Sequence, residues 1–425
     1  MRIVVVEFTA TGGMIHYAYQ LCAALAEHAS VTLVTGRDYE LRDLVPAFRV
    51  EPMLPLWNPK PATDTPATGL RQAIRLLRRT SRAVRYYRAW WHLTYLLLRE
   101  RPDVVQFGDI RFVSDLVCFA LLKRAGLRLV DICHNVRPVN ASRRSRGGIC
   151  LDRLTRWIFR AIYHQFDLVL VHYEVNRREF LARFELPAER VAVIPHGNEE
   201  LFRVLAARRR PPPDGALREE LHLAPGDPVI LLIGSLSHYK GIDRLLHAFA
   251  TVRRHAPQAT LVIAGYALPE FDLPAHQRLA EALGVADAVR FVPRYLPAET
   301  VARWMDEAAV AVFPYREVSQ SGALHLAQTF GVPIVASAVG ATPEVIVDGE
   351  SGLLVPPEDA EALATAILAI LRQPELGRRL GARARQDAMT RFTWPEVAAV
   401  CMERYRTLLD GTSGGAGPAE ARRLA

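Results

Sequence analysis

Cysteine is scarce in this chain: Cys22, Cys118, Cys133, Cys150 and Cys401 are the only five in 425 residues. They are scattered, odd in number and nowhere spaced as metal ligands. That excludes a disulfide framework and a zinc site, and it fits a reducing compartment. No run reaches the roughly 18 to 20 apolar residues that a membrane-spanning helix needs, and the stretch 90–98 comes nearest. The N-terminus, MRIVVVEFTATGG, holds a short apolar run that ends in Glu7 and has no cleavage site. It reads as a first strand rather than a signal peptide, so the expected location is the cytoplasm. The dinucleotide fingerprint G-x-G-x-x-G and the phosphate loop G-x-x-x-x-G-K-[ST] are both missing, which argues against an NAD site and a P-loop. No internal repeat and no long low-complexity tract is present, and no Asp-x-Asp pair stands in a plausible metal-binding loop. Acidic residues are missing altogether from 71 to 98.

What is present describes full-sized cores. Half of the residues are hydrophobic and 23% are charged, and 53 Lys and Arg against 45 acids leave a formal charge of +8. At about 150 residues per domain, the length implies two or three domains. Short runs rich in Val, Ile and Leu at 3–6, 31–34, 104–107, 127–132 and 168–171 alternate with amphipathic helical patterns such as 16–28. The series restarts at 229–233 and continues at 260–264, 288–292, 310–313 and 334–336. Continuous apolar runs of this length are buried parallel strands. Two such series predict an α/β chain with two doubly wound, parallel sheets. The break falls after Pro195, His196 and Gly197, and the basic, proline-rich stretch 206–215 reads as a linker. Domains are therefore expected at 1–205 and 206–393. Helices at 360–371 and 376–390 precede a last helix at 394–410, and the Gly- and Ala-rich tail 411–425 is expected to be disordered.

In open α/β sheets, ligands sit beyond the carboxyl ends of the strands, so the loops that follow strands are the places to search. The first of these holds Gly12 and Gly13 ahead of a helix. It is either a phosphate-approaching loop at a helix N-terminus or a tight strand-to-helix turn. The second runs Gly234, Ser235, Leu236, Ser237, His238, Tyr239, Lys240, Gly241. Its lysine either reaches a diphosphate or is solvated beside a turn. The third follows the strand at 310–313 and contains Glu317, Ser321, Gly322, Ala323 and His325. Ser321, Gly322 and Ala323 fall at a helix N-terminus, where backbone N–H groups and the helix dipole favour an anion. Between the first two lies His134, which follows the strand at 127–132.

With these loops in place, the chain resembles the family 4 retaining glycosyltransferases, whose GT-B fold has two facing Rossmann-like domains. The resemblance covers nearly the whole length. It rests on the Gly12-Gly13 loop, on Val193-Ile194-Pro195-His196-Gly197-Asn198 and on Lys240-Gly241. Gly331-Val332-Pro333-Ile334-Val335-Ala336, Pro343-Glu344-Val345 and the run from Asp348 to Val355 complete it. It implies an N-terminal acceptor-side domain onto which helix 394–410 packs back, and a C-terminal nucleotide-sugar donor domain. It implies that His134 stands at the reacting carbon and that Lys240 neutralises the leaving diphosphate. Gly12, Gly13, Gly234, Ser235, Ser321, Gly322 and Ala323 are then donor-binding positions. No metal and no cofactor is expected, because the nucleotide-sugar is a substrate. The chain departs from the family at its glutamate pair, whose positions fall on Val318 and Leu326. Glu317 and His325 keep the same spacing one residue earlier, and a change of register would bring them to the donor. It also departs at an arginine, where the nearest residues are Ser235 and Ser237.

Seven arginines lie between Arg71 and Arg88, interleaved with Tyr86, Tyr87, Trp90 and Trp91. This pattern suits an interfacial helix on an anionic membrane and, equally, the solvated face of an ordinary helix. No nucleic-acid-binding module accompanies it, so nucleic acid is not an expected partner. The acceptor is expected to be a saccharide, free or lipid-linked. Two rivals remain open: a GT-B epimerase, and a catalytically silent nucleotide-sugar binding protein, which the departures at the glutamate pair favour.

Overall fold

The computed structural model describes residues 1–54, 69–136, 148–208, 216–224 and 226–411. The side chains of 69–80, 82, 148–153 and 216 are outside that description. The same holds for most of the expected linker, for the tail beyond 411, and for Cys150, Arg71, Arg75, Arg78, Arg79 and Arg82. Chain contacts divide the molecule into two compact units, Met1–Pro195 with the C-terminal residues from Trp394, and His196–Thr393. This division falls ten residues before the boundary read from the linker. The helix Glu200–Arg208 packs against the helix Ala298–Glu307 and so belongs to the second unit.

The first unit is a seven-stranded sheet of β1 (Arg2–Val6), β2 (Ser30–Gly36), β3 (Arg49–Leu54), β4 (Val104–Phe107), β5 (Leu129–Ile132), β6 (Leu168–Val171) and β7 (Val191–Val193). Their order is β3-β2-β1-β4-β5-β6-β7, and every pairing is parallel. The second unit has six strands: β8 (Val229–Ile233), β9 (Thr260–Ala264), β10 (Val289–Val292), β11 (Val310–Phe313), β12 (Ile334–Ser337) and β13 (Leu353–Val355). Their order is β10-β9-β8-β11-β12-β13, again all parallel. The GT-B class of two parallel-sheet α/β units is thus what the chain adopts. Three strands, β3, β7 and β13, carry no clear signal in the sequence, and all three are sheet edges. An edge strand is covered on fewer sides, so it can be three residues long, or mixed in burial like Arg49–Leu54 with Glu51 and Pro52 inside it.

The switch of strand order fixes where ligands can sit. In the first unit the chain winds one way from β1 and the other way from β4, and in the second from β8 and β11. Register keeps the strand ends level there. Val6 lies opposite both Val34 and Phe107, and Ile230 lies opposite Val310. The loops beginning at Glu7 and Gly108 therefore leave their sheet side by side, as do those beginning at Gly234 and Pro314.

The helix Gly69–Glu100 shows how its unit is held. Ala89, Trp90, Leu93 and Leu97 are buried at helical spacing, while Trp91 is 77% exposed. The Trp90 ring packs 5.4 Å from Phe8, 5.9 Å from Phe107 and 5.2 Å from Phe119. Truncating a buried aromatic costs about 3–5 kcal/mol, whereas surface positions change stability by about 0.5 kcal/mol or less. Trp90→Ala is therefore expected to lower the denaturant midpoint of the first unit strongly and Trp91→Ala to leave it in place, with unfolding followed by far-ultraviolet circular dichroism.

Candidate functional site

The second unit builds a candidate anion cradle from two loops that flank its switch point. After β8, Gly234 takes φ +125°, and an added Cβ would stand 3.3 Å from Lys240 Nζ and 3.7 Å from Ala323 Cβ. Its bare backbone thus lets the lysine and the start of the helix Gly322–Phe330 close up on each other. Gly241 ends the turn at φ +64°, and a Cβ there would lie 2.0 Å from the Pro314 carbonyl oxygen. No residue but glycine fits that approach of the two loops. Arg316 clamps them from outside, with ion pairs to Asp243 (2.7 Å) and Glu358 (2.6 Å) and a donated bond to the His238 carbonyl (2.9 Å). Its backbone N–H donates to the Tyr239 carbonyl at 2.8 Å.

Lys240 is therefore not a solvated turn residue. It is 4% exposed, and among the described residues no carboxylate pairs with it. Its Nζ donates to the Tyr315 hydroxyl at 2.8 Å and lies 4.1 Å from that ring's centroid. Burial alone pushes the amine down to about 7 from its usual 10.5. The Tyr315 hydroxyl lies 3.1 Å from Ser321 Oγ, which in turn accepts the Leu324 N–H at 3.2 Å and caps the helix. The result is a line of polar groups, Lys240, Tyr315, Ser321 and a helix N-terminus, across the β8/β11 switch. Such a line can receive a diphosphate: the lysine supplies charge, and the first-turn N–H groups supply oriented donors.

The expected donor positions separate into two groups. Gly234, Lys240, Ser321, Gly322 and Ala323 come together at the cradle. Ser235 and Glu317 are exposed at its edges. His325 lies apart from both groups: its ring is 1% exposed, stacked on His196 at 4.5 Å and edge-on to Phe392 at 4.8 Å. Burial, with His196 beside it, drives its pKa well below the ordinary value, and burial drives His196 down to about 4. Both rings thus stay neutral packing partners at physiological pH, as the first turn of an amphipathic helix requires of its inward face. Sequence reasoning missed Tyr315 and Glu199. The latter is 5% exposed, with a carboxylate oxygen 3.3 Å from where a Gly322 Cβ would stand.

The first unit gathers its polar groups at the same end of its sheet. Gly12, at φ +82°, precedes the helix Gly13–Ala26 and donates its N–H to Glu40 (2.9 Å), which pairs with His16 (3.3 Å). Gly13 is open, with no atom within 4 Å of a built Cβ. Glu7 accepts the Thr9 N–H at 2.5 Å, and burial, with Asp109 nearby, pushes its carboxyl up to about 7. Arg111 joins the two switch-point loops through Asp109 (3.0 Å) and the Thr9 hydroxyl (2.7 Å). Beyond β5, His134 is 6% exposed, and its Nδ1 lies 3.1 Å from Nε2 of His172, which follows β6. Tyr17 meets both rings edge-on, at 4.7 and 5.4 Å, and it also meets Trp394 at 5.0 Å. His172 was legible as a pattern and passed over, since each histidine follows a four-residue strand within two residues.

Against this geometry the comparisons can be placed. A family model described as Glycosyltransferase Family 4 matches residues 11–199, and one described as Glycosyl transferases group 1 matches residues 227–373. A GDP-mannose-dependent alpha-(1-6)-phosphatidylinositol monomannoside mannosyltransferase of Mycolicibacterium smegmatis is 30% identical over 299 residues, covering 68% of this chain and 72% of that protein. The chain belongs to glycosyltransferase family 4. A D-inositol 3-phosphate glycosyltransferase of Segniliparus rotundus is 29% identical over 302 residues, 71% of this chain, and the match spans 65% of that relative's length. Among solved structures, the Anabaena HepE protein in complex with UDP and glucose superposes with a TM-score of 0.70 at 18% identity, over 96% of this chain and 100% of that one. That likeness shows the shared fold. The family 4 model thus covers His134, and the group 1 model covers Lys240.

Replacing Lys240 by methionine removes the amine and keeps the apolar stem. UDP or GDP affinity, measured by calorimetry at pH 6.5, is expected to fall 10- to 100-fold, the range for one charge-assisted bond of about 1.5–3 kcal/mol. The free Lys240→Met protein is expected to melt about 2–4 °C higher, since a buried amine no longer has to shed its charge. Unchanged affinity would remove the lysine from the cradle.

Proposed function

We propose that this chain is a retaining glycosyltransferase that moves a sugar from a nucleoside-diphosphate donor to a hydroxyl of a lipid-linked acceptor. The carrying observation is the Lys240–Tyr315–Ser321 line at the switch point of the second unit. In the proposed step the bond from the anomeric carbon to the diphosphate oxygen breaks. The acceptor oxygen bonds that carbon on the same face, and its proton passes to the departing phosphate oxygen. Lys240 and the helix N-terminus stabilise the charge that gathers on the diphosphate, and this needs no metal. His134 serves the sugar end. The relatives' names support a nucleotide-sugar donor and an inositol-bearing or phosphatidylinositol acceptor, and the HepE complex supports a nucleotide in this fold.

The lipid side of the reading rests on exposed apolar groups of the first unit. On the helix Gly69–Glu100, Val84, Tyr87, Trp91, Tyr95 and Leu98 are exposed at spacings of three and four, so they share one face. The neighbouring helix Asp115–Arg124 exposes Val117 and Leu121, and the helix beside it, Gly148–Tyr163, exposes Leu154 and Trp157. Arg85, Arg88, Arg99, Arg124 and Arg156 are exposed on the same three helices. Aromatic rings with arginines suit the headgroup layer of an anionic bilayer. No helix of the described residues is long and apolar enough to cross a membrane.

Two experiments test the reading. A panel of UDP- and GDP-sugars is expected to contain a donor that raises the melting temperature of the wild type and is cleaved on adding acceptor. His134→Ala is expected to slow transfer strongly, to a rate still measurable, while UDP or GDP still binds. A donor that binds without ever being transferred or hydrolysed would favour the silent binder. Separately, the protein is expected to sediment with liposomes containing anionic lipid at low salt and to stay in solution at high salt. Trp91→Ser with Trp157→Ser is expected to reduce the sedimented fraction several-fold. Indifference of the wild type to anionic liposomes would leave a soluble acceptor as the better choice.

A further inference from the structure

His134 does not stand alone at the end of β5. Its Nδ1 faces Nε2 of His172 at 3.1 Å, both rings are almost fully buried, and both project from the carboxyl ends of adjacent strands. A bond between two imidazoles needs one nitrogen to donate and the other to accept. The tautomer of one ring therefore decides that of the other. A bond at Nδ1 also stops the ring from turning over. Tyr17 adds a packing wall that meets both rings edge-on, and Trp394 in turn packs on Tyr17. Backbone register supports the pair: Asp131 lies opposite Val169 and Ile132 opposite Leu170, so the two strand ends present their following residues side by side.

We propose that His172 is the positioning residue of this enzyme, fixing the tautomer and ring orientation in which His134 works. The inference rests on the reading of His134 given above and adds to it the group through which that histidine is set. His172 touches no substrate. Its effect is on how well His134 works and not on whether nucleotide binds. The arrangement follows the general logic by which a catalytic histidine is oriented through its second nitrogen.

Three variants separate this role from simple packing. His172→Phe keeps an aromatic ring against Tyr17 and removes the bond. His172→Gln can place an amide group where Nε2 stood, and His172→Asn is too short to do so. Transfer by the full chain is expected to slow 10- to 100-fold in kcat for the Phe and Asn variants, with the donor KM within twofold of wild type. The Gln variant is expected to recover to within about threefold of wild-type kcat. Combining His134→Ala with His172→Phe is expected to add nothing to the loss from His134→Ala alone, because the second residue acts only through the first. Should the Phe variant not fold, the contrast between Gln and Asn carries the same test. Equal kcat for Gln and Asn, additive losses in the double variant, or a loss confined to KM would each overturn the proposal. A His134→Ala enzyme that transfers at the wild-type rate would instead overturn the reading of His134, and with it any need to position that ring.

Discussion

A lysine amine that is 4% exposed and faces a phenol rather than a carboxylate is a costly thing to fold. The cost shows as an amine held down at about 7. Much of the second unit is arranged so that this cost is tolerated. Gly241 lets the lysine turn press onto the Pro314 carbonyl, and Gly234 leaves room beside Nζ for the start of the next helix. Arg316 ties the two loops together through Asp243 and Glu358. Among the described residues no carboxylate pairs with the amine. A diphosphate would supply the missing charge and recover the energy that burial took.

The two units apply the same rule to different chemistry. Parallel sheets, wound both ways from a central pair of strands, leave an opening at their carboxyl ends, and each unit puts its polar groups there. In the second unit these are a lysine, a phenol and a helix N-terminus, suited to negative charge. In the first they are a histidine pair, a high-pKa carboxyl at Glu7 and an arginine that joins the β1 and β4 loops. That assortment suits hydroxyl groups and protons better than phosphate.

Fold class was legible because buried central strands need unbroken apolar runs, and β1, β6, β8, β9 and β11 have them. The edges were not legible, since β3, β7 and β13 are covered on fewer sides and their composition is under less constraint. Site legibility followed the same physical line. Gly234, Lys240 and Ser321 could be found because a glycine turn or a helix cap announces itself in the local sequence. Tyr315 and Glu199 meet partners 75 and 123 positions away, and no local pattern records such a pairing. Spacing placed His325 on the helix that begins at the cradle, and only its distant partners, His196 and Phe392, record where its ring packs.

The central claim, that Lys240 waits as a depressed amine for a diphosphate, has a direct thermodynamic signature. Above pH 7 the free amine is largely neutral, and binding a diphosphate raises its pKa, so complex formation must take up a proton. The measurement is calorimetric titration of the protein with UDP or GDP at pH 8 in two buffers of different ionisation enthalpy. The account predicts uptake of a large fraction of one proton in the wild type and none from this position in Lys240→Met. Binding with no proton uptake at pH 8, or with the same uptake in both proteins, would contradict it.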